Sequence, residues 1–306
     1  MFSYDTGILV TAKMETAVRY SFLFVELMAV VFFFLGLKIS LKRDAARAAE
    51  FFMIFVYGLL LEELDMKIFK TYHYGEHFLL MMGKVPLCIA MLWAVILSGA
   101  MAISDFLALP VRVRPFMDAL LAVWIDLSLD AIAIRLGYWT WVIPLHEGWF
   151  GVPAGNLYAW MWVAFFYSAI ARWVRGRTEV SRRWQWAYLA IPFLAYAGLF
   201  AAMKSVAQIG IWLGWVGQTK RLWLFAIQWM IFLAVILFHW KRRGHDKKSI
   251  EAFWLWSRYG IHLYFLLAYF AFQIYLKNLW VGCVAIFVLA GEIFFHRKWL
   301  ARSPKS

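Results

Sequence analysis

Residues 116–136 read FMDALLAVWIDLSLDAIAIRL, a mostly apolar run that carries three aspartates. A run of about 20 such residues can cross a bilayer as a helix. At 100° per residue, Asp118, Asp126 and Asp130 fall within about 120° of arc and share one helix face. An aspartate facing lipid costs about 2.5–3.5 kcal/mol. This face is therefore expected to point into the interior of a helix bundle.

Runs of the same kind recur along the chain, and we predict about nine transmembrane helices, with eight to ten compatible with the pattern. Of the 306 residues, 64% belong to AVILMFWYC and 16% are charged, whereas a soluble domain has about 45–50% apolar and about 25% charged residues. This composition excludes a soluble enzyme, a disordered tail and a coiled coil. The predicted fold class is all-α, a polytopic membrane helix bundle. The predicted spans are residues 19–37, 51–69, 85–106, 116–136, 156–174, 184–203, 222–240, 253–276 and 279–296.

Residues 206–217 are too short to cross a bilayer and contain Gly210, Gly214 and Gly217. We predict that they form a re-entrant or interfacial segment.

The net charge of +13 lies in short basic clusters between the spans. A nucleic-acid-binding protein would need a continuous basic stripe, so no nucleic acid partner is expected. With nine spans, most of the 31 basic residues fall on one side, including the clusters in residues 241–248 and 297–305. The positive-inside rule assigns that side to the cytoplasm. This predicts an N-terminus outside, a cytoplasmic C-terminus and a location in the cytoplasmic (plasma) membrane.

Acids deep in the spans are candidate catalytic groups. In the second span Gly58, Glu62 and Asp65 share one helix face, while Glu63 points elsewhere. Burial with few nearby cations favours the protonated form of a carboxyl group, which makes it a potential general acid. On this ground Glu62, Asp126 and Asp130 are the preferred candidates.

A structural interpretation of the same acids competes with this one. Lys67 is close enough in sequence to pair with Glu63 or Asp65, and Arg135 with Asp130. We prefer the structural interpretation for three of the acids, namely Glu63, Asp65 and Asp118.

The segments after the second and fourth spans are rich in aromatic residues. Tyr72 and Tyr74 follow one span, and Trp139 and Trp141 follow the other. Tyrosine and tryptophan are common at membrane interfaces, so an aromatic belt is the default interpretation. The run Gly151-Val152-Pro153 goes beyond this default, because it precedes the polar Asn156 and, one turn later, Trp160. A Gly/Pro turn at this point is expected to position the Asn156 amide inside the bundle.

His73 and His77 have the i, i+4 spacing of two metal ligands, provided that they lie on a helix. They are the one such pair among seven histidines. Metal-dependent membrane hydroxylases and desaturases have several histidine clusters. We therefore expect no metal.

Several short motifs occur in a recognisable order between residues 51 and 175. They are Glu62, Tyr72-His73-Tyr74, Val85-Pro86-Leu87 with Trp93, Asp126-Leu-Ser-Leu-Asp130, Gly137-Tyr-Trp139-Thr-Trp141, and Gly151-Val152-Pro153 with Asn156 and Trp160. This order resembles the carotenoid biosynthesis membrane protein family, whose characterised members are carotenoid 1,2-hydratases of the bisanhydrobacterioruberin hydratase type. The resemblance implies one domain over residues 1–306, with a catalytic core at 51–175 and additional membrane helices at 184–296.

One stretch departs from the family pattern. The family usually has a Thr-Gly-x-Pro-Phe-Gly-like run before its Tyr-x-Tyr, and residues 67–71 here read KIFKT. If that run shapes the substrate tunnel, the polyene end group accepted here differs from that of the family, or hydratase activity is absent.

The family implies a hydration reaction on a carotenoid or other isoprenoid lipid held among membrane lipids. A buried acid, Asp126 or Asp130 first and Glu62 second, would protonate a terminal alkene to a tertiary cation, and Asn156 would orient the attacking water. Aromatic faces would stabilise the cation by about 0.5–2 kcal/mol each. This hydro-lyase chemistry requires no redox cofactor. The implied substrate-binding residues are Tyr72, Tyr74, Trp93, Trp139, Trp141, Pro153 and Trp160.

Two other functions stay open on the sequence alone. A transporter or lipid-translocating protein would use the buried acids for proton coupling. Such folds often contain inverted repeats, and the second half of the chain has no acids that match those of the first. A scaffold for neighbouring carotenoid enzymes would need none of these acids for chemistry.

Overall fold

The computed structural model describes residues 12–242 and 250–300, which contain nine α-helices. Each of these helices overlaps one of the nine predicted spans, so the all-α helical fold is confirmed, while the number of helices that cross a membrane stays a prediction. The helices are α1 Ala12–Arg43, α2 Ala45–Ile68, α3 Leu87–Phe106, α4 Arg114–Ala133, α5 Ala154–Val180, α6 Ile191–Trp212, α7 Gln218–His239, α8 Ala252–Ala271 and α9 Leu279–Leu300.

Helix boundaries follow local sequence signals. Asp44 alone separates α1 from α2, and its carboxylate accepts a hydrogen bond from the backbone N–H of Arg47 at 2.7 Å, as an N-cap does. Pro115 and Pro192 lie in the first turns of α4 and α6. Proline is tolerated there because the first N–H groups of a helix have no partner within it.

Five of the helices in the described ranges are long and apolar enough to cross a membrane, namely α1, α3, α6, α7 and α9. In the most apolar window of α3, 78% of the residues are buried, against 17–33% in the other four. Helix α3 is therefore central and contacts α1, α2, α4 and α8. The remaining four helices, α2, α4, α5 and α8, carry most of the buried charged side chains. This distribution leaves the other four apolar helices, α1, α6, α7 and α9, at the periphery.

The re-entrant segment predicted for residues 206–217 is wrong. Helix α6 continues to Trp212, and a short turn connects it to α7. Gly210 does not break the helix: a Cβ at this position would lie 3.1 Å from Leu224, so the glycine lets α6 and α7 approach closely. Gly214, at φ +68°, makes the turn.

Two short antiparallel β-ribbons accompany the helices. Strand β1, Tyr72–Tyr74, pairs with β4, Trp139–Trp141, and β2, Met81–Met82, pairs with β3, Val85–Pro86. The β1–β4 ribbon ties the segment after α2 to the segment after α4. Next to it, Gly75 donates to the Tyr138 carbonyl at 2.8 Å, and a Cβ at Gly75 would lie 2.2 Å from the Gly137 oxygen. Only glycine allows this close backbone contact.

Two buried acids outside the predicted site have structural partners. Glu26 of α1 accepts hydrogen bonds from the backbone N–H groups of Leu79 and Leu80, at 3.0 and 2.9 Å. Glu292 of α9 forms an ion pair with Arg258 of α8, and both side chains are buried. These contacts fix the β2–β3 segment and join the last two helices.

The orientation in the membrane stays a prediction. Five of the basic residues on which it depends lie outside the described residues, namely Arg243, Lys247, Lys248, Arg302 and Lys305.

Candidate functional site

A cavity of about 430 Å³ lies among α2, α3, α4, α5, α6 and the β1–β4 ribbon. Of the residues that the sequence analysis assigned to the site, Asp126 alone does not line this cavity. Those that line it are Glu62, Tyr72, Tyr74, Trp93, Asp130, Trp139, Trp141, Pro153, Asn156 and Trp160. Residues far apart in sequence thus share one chamber whose remaining wall is largely apolar.

Glu62 is buried and held by three neutral donors. The Tyr74 hydroxyl donates to Oε2 at 2.6 Å, the Tyr72 hydroxyl donates to the same oxygen, and the Trp93 indole N–H donates to Oε1 at 2.8 Å. None of these donors carries a charge, so they hold the Glu62 carboxyl group by hydrogen bonds and not by an ion pair. Glu62 also lines the cavity.

Close packing of α2 against α3 makes these contacts possible. A Cβ at Gly58, one turn before Glu62, would lie 3.1 Å from the Ala90 backbone and 3.2 Å from Trp93. The glycine therefore brings the two helices together, and the Trp93 indole reaches the Glu62 carboxyl. Tyr72 and Tyr74 reach the same carboxyl because alternate residues of a strand point to the same side.

Asp126 and Asp130 form a carboxyl pair one helical turn apart on α4, and the amide of Asn156 bridges them. Nδ2 of Asn156 donates to Asp130 at 2.6 Å and to Asp126 at 3.0 Å. The two carboxyl groups are therefore neighbours, because each accepts from the same nitrogen atom. All three side chains thus form one polar unit, of which Asp130 and Asn156 open onto the cavity.

The turn before α5 positions Asn156. Gly151 has φ +88°, Trp149 pairs with Val152 across the turn, and Pro153 is the N-cap of α5. The Trp149 indole donates to the Leu127 carbonyl at 2.8 Å, which attaches the turn to α4. Asn156 consequently lies in the first turn of α5, opposite the acids of α4.

Aromatic rings form much of the cavity wall. The ring centroids of Trp93 and Trp160 are 4.2 Å apart, and those of Tyr72 and Trp141 are 4.7 Å apart. Trp141 lies opposite Tyr72 in the β1–β4 ribbon, and Trp139 lies opposite Tyr74. The ribbon register therefore brings both pairs of rings to one end of the cavity.

One wall of the cavity comes from helices that the sequence analysis did not connect with the site. Helix α6 contributes residues at helical spacing, and the first turn of α7 contributes two polar residues. They are Tyr196, Leu199, Phe200, Met203, Lys204, Ala207, Gln218 and Arg221. A polar stripe through Tyr196 and Lys204 on an otherwise apolar helix is the sequence signal that could have revealed this wall.

Of the proposed structural pairings, the one between Lys67 and Glu63 is confirmed, and the one between Arg135 and Asp130 is wrong. Lys67 pairs with Glu63, at 2.7 Å, and Asp65 instead lines the cavity and accepts a hydrogen bond from Tyr196 at 3.3 Å. Arg135 does not pair with Asp130; it donates to the Ala131 and Phe150 carbonyls and to the Asn278 side chain. The carboxyl pair therefore has no arginine beside it among its described hydrogen-bond partners.

Other expectations about single residues can be compared with the structure. Asp118 is buried in an ion pair with Arg172, so its structural role is confirmed. His73 lies in strand β1 rather than on a helix, which removes the condition for pairing it with His77 as metal ligands. Within the described residues, no group of three or more His, Cys, Asp or Glu side chains is arranged to hold a metal ion.

Most of the cavity lies in a part of the chain that matches a known protein family. Residues 17–219 match the family described as carotenoid biosynthesis protein. The chain has no significant match among curated proteins or among solved structures. The family match covers about two thirds of the chain and includes every helix that lines the cavity from α1 to α6. The chain therefore belongs to the carotenoid biosynthesis protein family.

Proposed function

We propose that the protein is a carotenoid hydratase-like hydro-lyase of the cytoplasmic (plasma) membrane, which adds water to the terminal C=C bond of an acyclic polyene. The observation that carries the proposal is the carboxyl pair of Asp126 and Asp130, which is bridged by Asn156 and opens into an apolar, aromatic-walled cavity. Hydrating such a bond needs a proton donor, an environment that tolerates a cation, and a positioned water molecule.

Asp130 is the proposed proton donor. Two buried carboxyl groups that accept from the same amide nitrogen, with no cation among their described hydrogen-bond partners, cannot both be ionised, so one of them carries a proton. Asp130 lines the cavity and Asp126 does not, so the proton leaves the pair through Asp130. It is transferred to the less substituted carbon of the terminal alkene. The other alkene carbon becomes a tertiary cation.

Glu62 and the aromatic wall stabilise that cation. Glu62 accepts three hydrogen bonds from neutral donors, so no cation among these partners would offset a negative charge on its carboxyl group. A carboxylate at the cavity surface attracts the developing positive charge, and the attraction is stronger where water is excluded. The faces of Tyr72 and Trp141 add about 0.5–2 kcal/mol each by cation-π attraction.

Asn156 orients the water molecule. Its Nδ2 is engaged by the two aspartates, which leaves Oδ1 to accept a hydrogen bond from water at the cavity surface. The water oxygen bonds to the tertiary carbon, and its surplus proton returns to Asp130. The sum is alkene plus water to tertiary alcohol, so no change of oxidation state has to be balanced by a cofactor.

The experiment is a hydration assay with membranes that contain the protein. Incubation with lycopene or a related acyclic-ended carotenoid should give a product heavier by one water, and water labelled with heavy oxygen should label the new hydroxyl. Loss of a general acid lowers a rate by about 10²–10⁴-fold, so we expect Asp130→Asn to lose activity by that factor. Glu147→Gln is the matched control, because Glu147 is an exposed acid that does not line the cavity.

Two results would contradict the proposal. One is a wild-type protein that adds no water to any acyclic-ended carotenoid offered. The other is an Asp130→Asn variant that is folded and as active as Glu147→Gln. Proton-coupled flux in vesicles containing the wild-type protein, without hydration, would favour a transporter instead.

A further inference from the structure

Two cationic side chains line the cavity on the wall that the acids do not occupy. Lys204 lies on α6 and Arg221 lies in the first turn of α7, whereas the cavity acids lie on α2 and α4. Lys204 is exposed and Arg221 is half-buried. The two cations therefore mark the part of the cavity that opens toward the outside of the bundle, which we call the cationic mouth.

Neither cation has an anionic partner among the described residues. Lys204 contacts the Phe200 ring, with Nζ at 4.5 Å from the ring centroid, and neither the Lys204 ammonium group nor the Arg221 guanidinium group forms a hydrogen bond or ion pair with a described residue. The cavity acids bond to hydroxyl, indole and amide donors instead, as Asp65 does to Tyr196. The positive charge of the mouth is thus not neutralised by the described part of the protein.

The residues around the cationic mouth indicate which kind of ligand would neutralise its positive charge. Charged side chains in membrane helices are costly and normally have a partner. A guanidinium group matches the geometry of a phosphate, and an ammonium group adds a further donor. Leu199, Phe200 and Met203 line the same cavity beside the cations. The fitting ligand therefore has a phosphate group joined to a hydrocarbon chain.

We propose that Lys204 and Arg221 bind the phosphate of an anionic phospholipid, one of whose acyl chains lies in the mouth of the cavity. The site shares the cavity with the proposed hydration chemistry but uses other residues, because neither cation bonds to Glu62, Asp130 or Asn156. A lipid bound here closes the mouth against the bilayer until a longer hydrocarbon displaces its chain. The expected preference is for phosphatidylglycerol over phosphatidylcholine, whose choline group offsets the phosphate charge.

The experiment measures lipid binding to the purified full-length protein by native mass spectrometry during titration with phosphatidylglycerol. The test variant is the double substitution Lys204→Gln with Arg221→Gln. The matched control is Lys220→Gln, because Lys220 is adjacent to Arg221 and exposed but does not line the cavity. We expect the double variant to bind phosphatidylglycerol at least about tenfold more weakly than the wild type, since two charged contacts are lost, and the control to bind like the wild type.

Further arms separate a lipid from a free anion and from a folding defect. Inorganic phosphate should compete with phosphatidylglycerol only at much higher concentration, because it lacks the chain that the cavity holds. Competition at equal concentration would overturn the assignment to a lipid. An unchanged thermal unfolding temperature of the double variant shows that it is folded. Equal affinity of the folded double variant and the control would overturn the site itself, and the hydration assay would be unaffected by that result.

Discussion

Helices α2, α4 and α5 build two polar clusters, one near each end of the bundle, and the two clusters handle buried acids in opposite ways. At the cavity end, the acids bond to hydroxyl, indole and amide groups. At the other end, which we call the arginine cluster, they bond to guanidinium groups. The arginine cluster consists of Glu50, Asp105 and Asp118 with Arg47, Arg114, Arg172 and Arg175.

The arginine cluster leaves few groups unpaired. Arg172 forms an ion pair with Asp118, donates to Ser104 at 2.8 Å and reaches Asp105 at 3.2 Å. Arg175 joins Glu50 and Asp105, at 2.5 and 3.1 Å. Each acid of this cluster thus has at least one guanidinium group as its counter-charge. The neutral partners at the cavity end fix the position of the acids without supplying a counter-charge, and this difference separates a structural cluster from a candidate site.

The largest expected effect is on stability at the arginine cluster. Arg172→Gln leaves Asp118 buried without its cation, and breaking a buried pair in this way costs about 3–5 kcal/mol. Thermal unfolding in detergent should therefore occur at a much lower temperature than in the wild type. Arg177→Gln is the control, because Arg177 is an exposed arginine on the same helix. Similar unfolding temperatures for the two variants would remove the distinction between the clusters.

The next effect is on activity at the cavity end. Glu62→Gln keeps the size of the side chain but removes the charge that attracts the cation, so hydration should fall by about 10²-fold or more. Its unfolding temperature should stay close to that of the wild type, because no buried cation loses its partner. The hydration rate and the unfolding temperature should be measured on the same sample, because the prediction concerns both quantities. A variant that unfolds early would mean that Glu62 is structural, as the acids of the arginine cluster are.

A smaller effect is expected for one donor to Glu62. Tyr74→Phe removes one of the three hydrogen bonds to the Glu62 carboxyl group, which is worth about 0.5–1.5 kcal/mol, so the hydration rate should fall by up to about tenfold. His73→Ala changes the neighbouring residue of β1, which is exposed, and should leave the rate unchanged. Equal rates for the two variants would show that the Tyr74 hydroxyl does not support the Glu62 carboxylate.

The smallest effect is expected one residue after Glu62. Glu63 pairs with Lys67, whose side chain is 65% exposed, and solvent-exposed pairs contribute about 0–1 kcal/mol. Glu63→Gln should therefore change neither the unfolding temperature nor the hydration rate appreciably. A large loss of activity in this variant would mean that any acid at this end of α2 matters, and that the position of Glu62 does not.

The sequence predicted the helices and the acid faces because both depend on local pattern. A run of 20 apolar residues forms a helix wherever it lies, and the shared face of Glu62 and Asp65 follows from helical periodicity alone. The assignment of partners depended on contacts across the bundle. Lys67 lies four residues after Glu63, a spacing that places both side chains on one helix face, but only two residues after Asp65. The hydrogen bond between Asp65 and Tyr196 depends on how α6 packs against α2, which the sequence of α2 does not reveal.

The role of glycine at two positions of α6 and its turn shows a second limit of the sequence. Gly210 and Gly214 lie in the same glycine-containing stretch of the sequence, and that stretch does not distinguish their roles. Gly210 lies inside α6, whereas Gly214 lies in the turn that ends it. The difference comes from Leu224 on α7, which packs against the bare backbone at Gly210. A neighbour that is distant in sequence thus decides whether a glycine serves packing or a turn.

The pairing of β1 with β4 constrains the length of the two connecting segments. Tyr72 and Tyr74 reach Glu62 because they point to one side of their strand, and His73 points to the other. Removing or adding one residue before either strand would shift the pairing by one residue and exchange these sides. The His73 imidazole would then point toward Glu62, and the Tyr72 and Tyr74 hydroxyls would point away from it. Insertions and deletions in these two connections should therefore be tolerated in homologous chains only when they leave the alternation of the ribbon in phase.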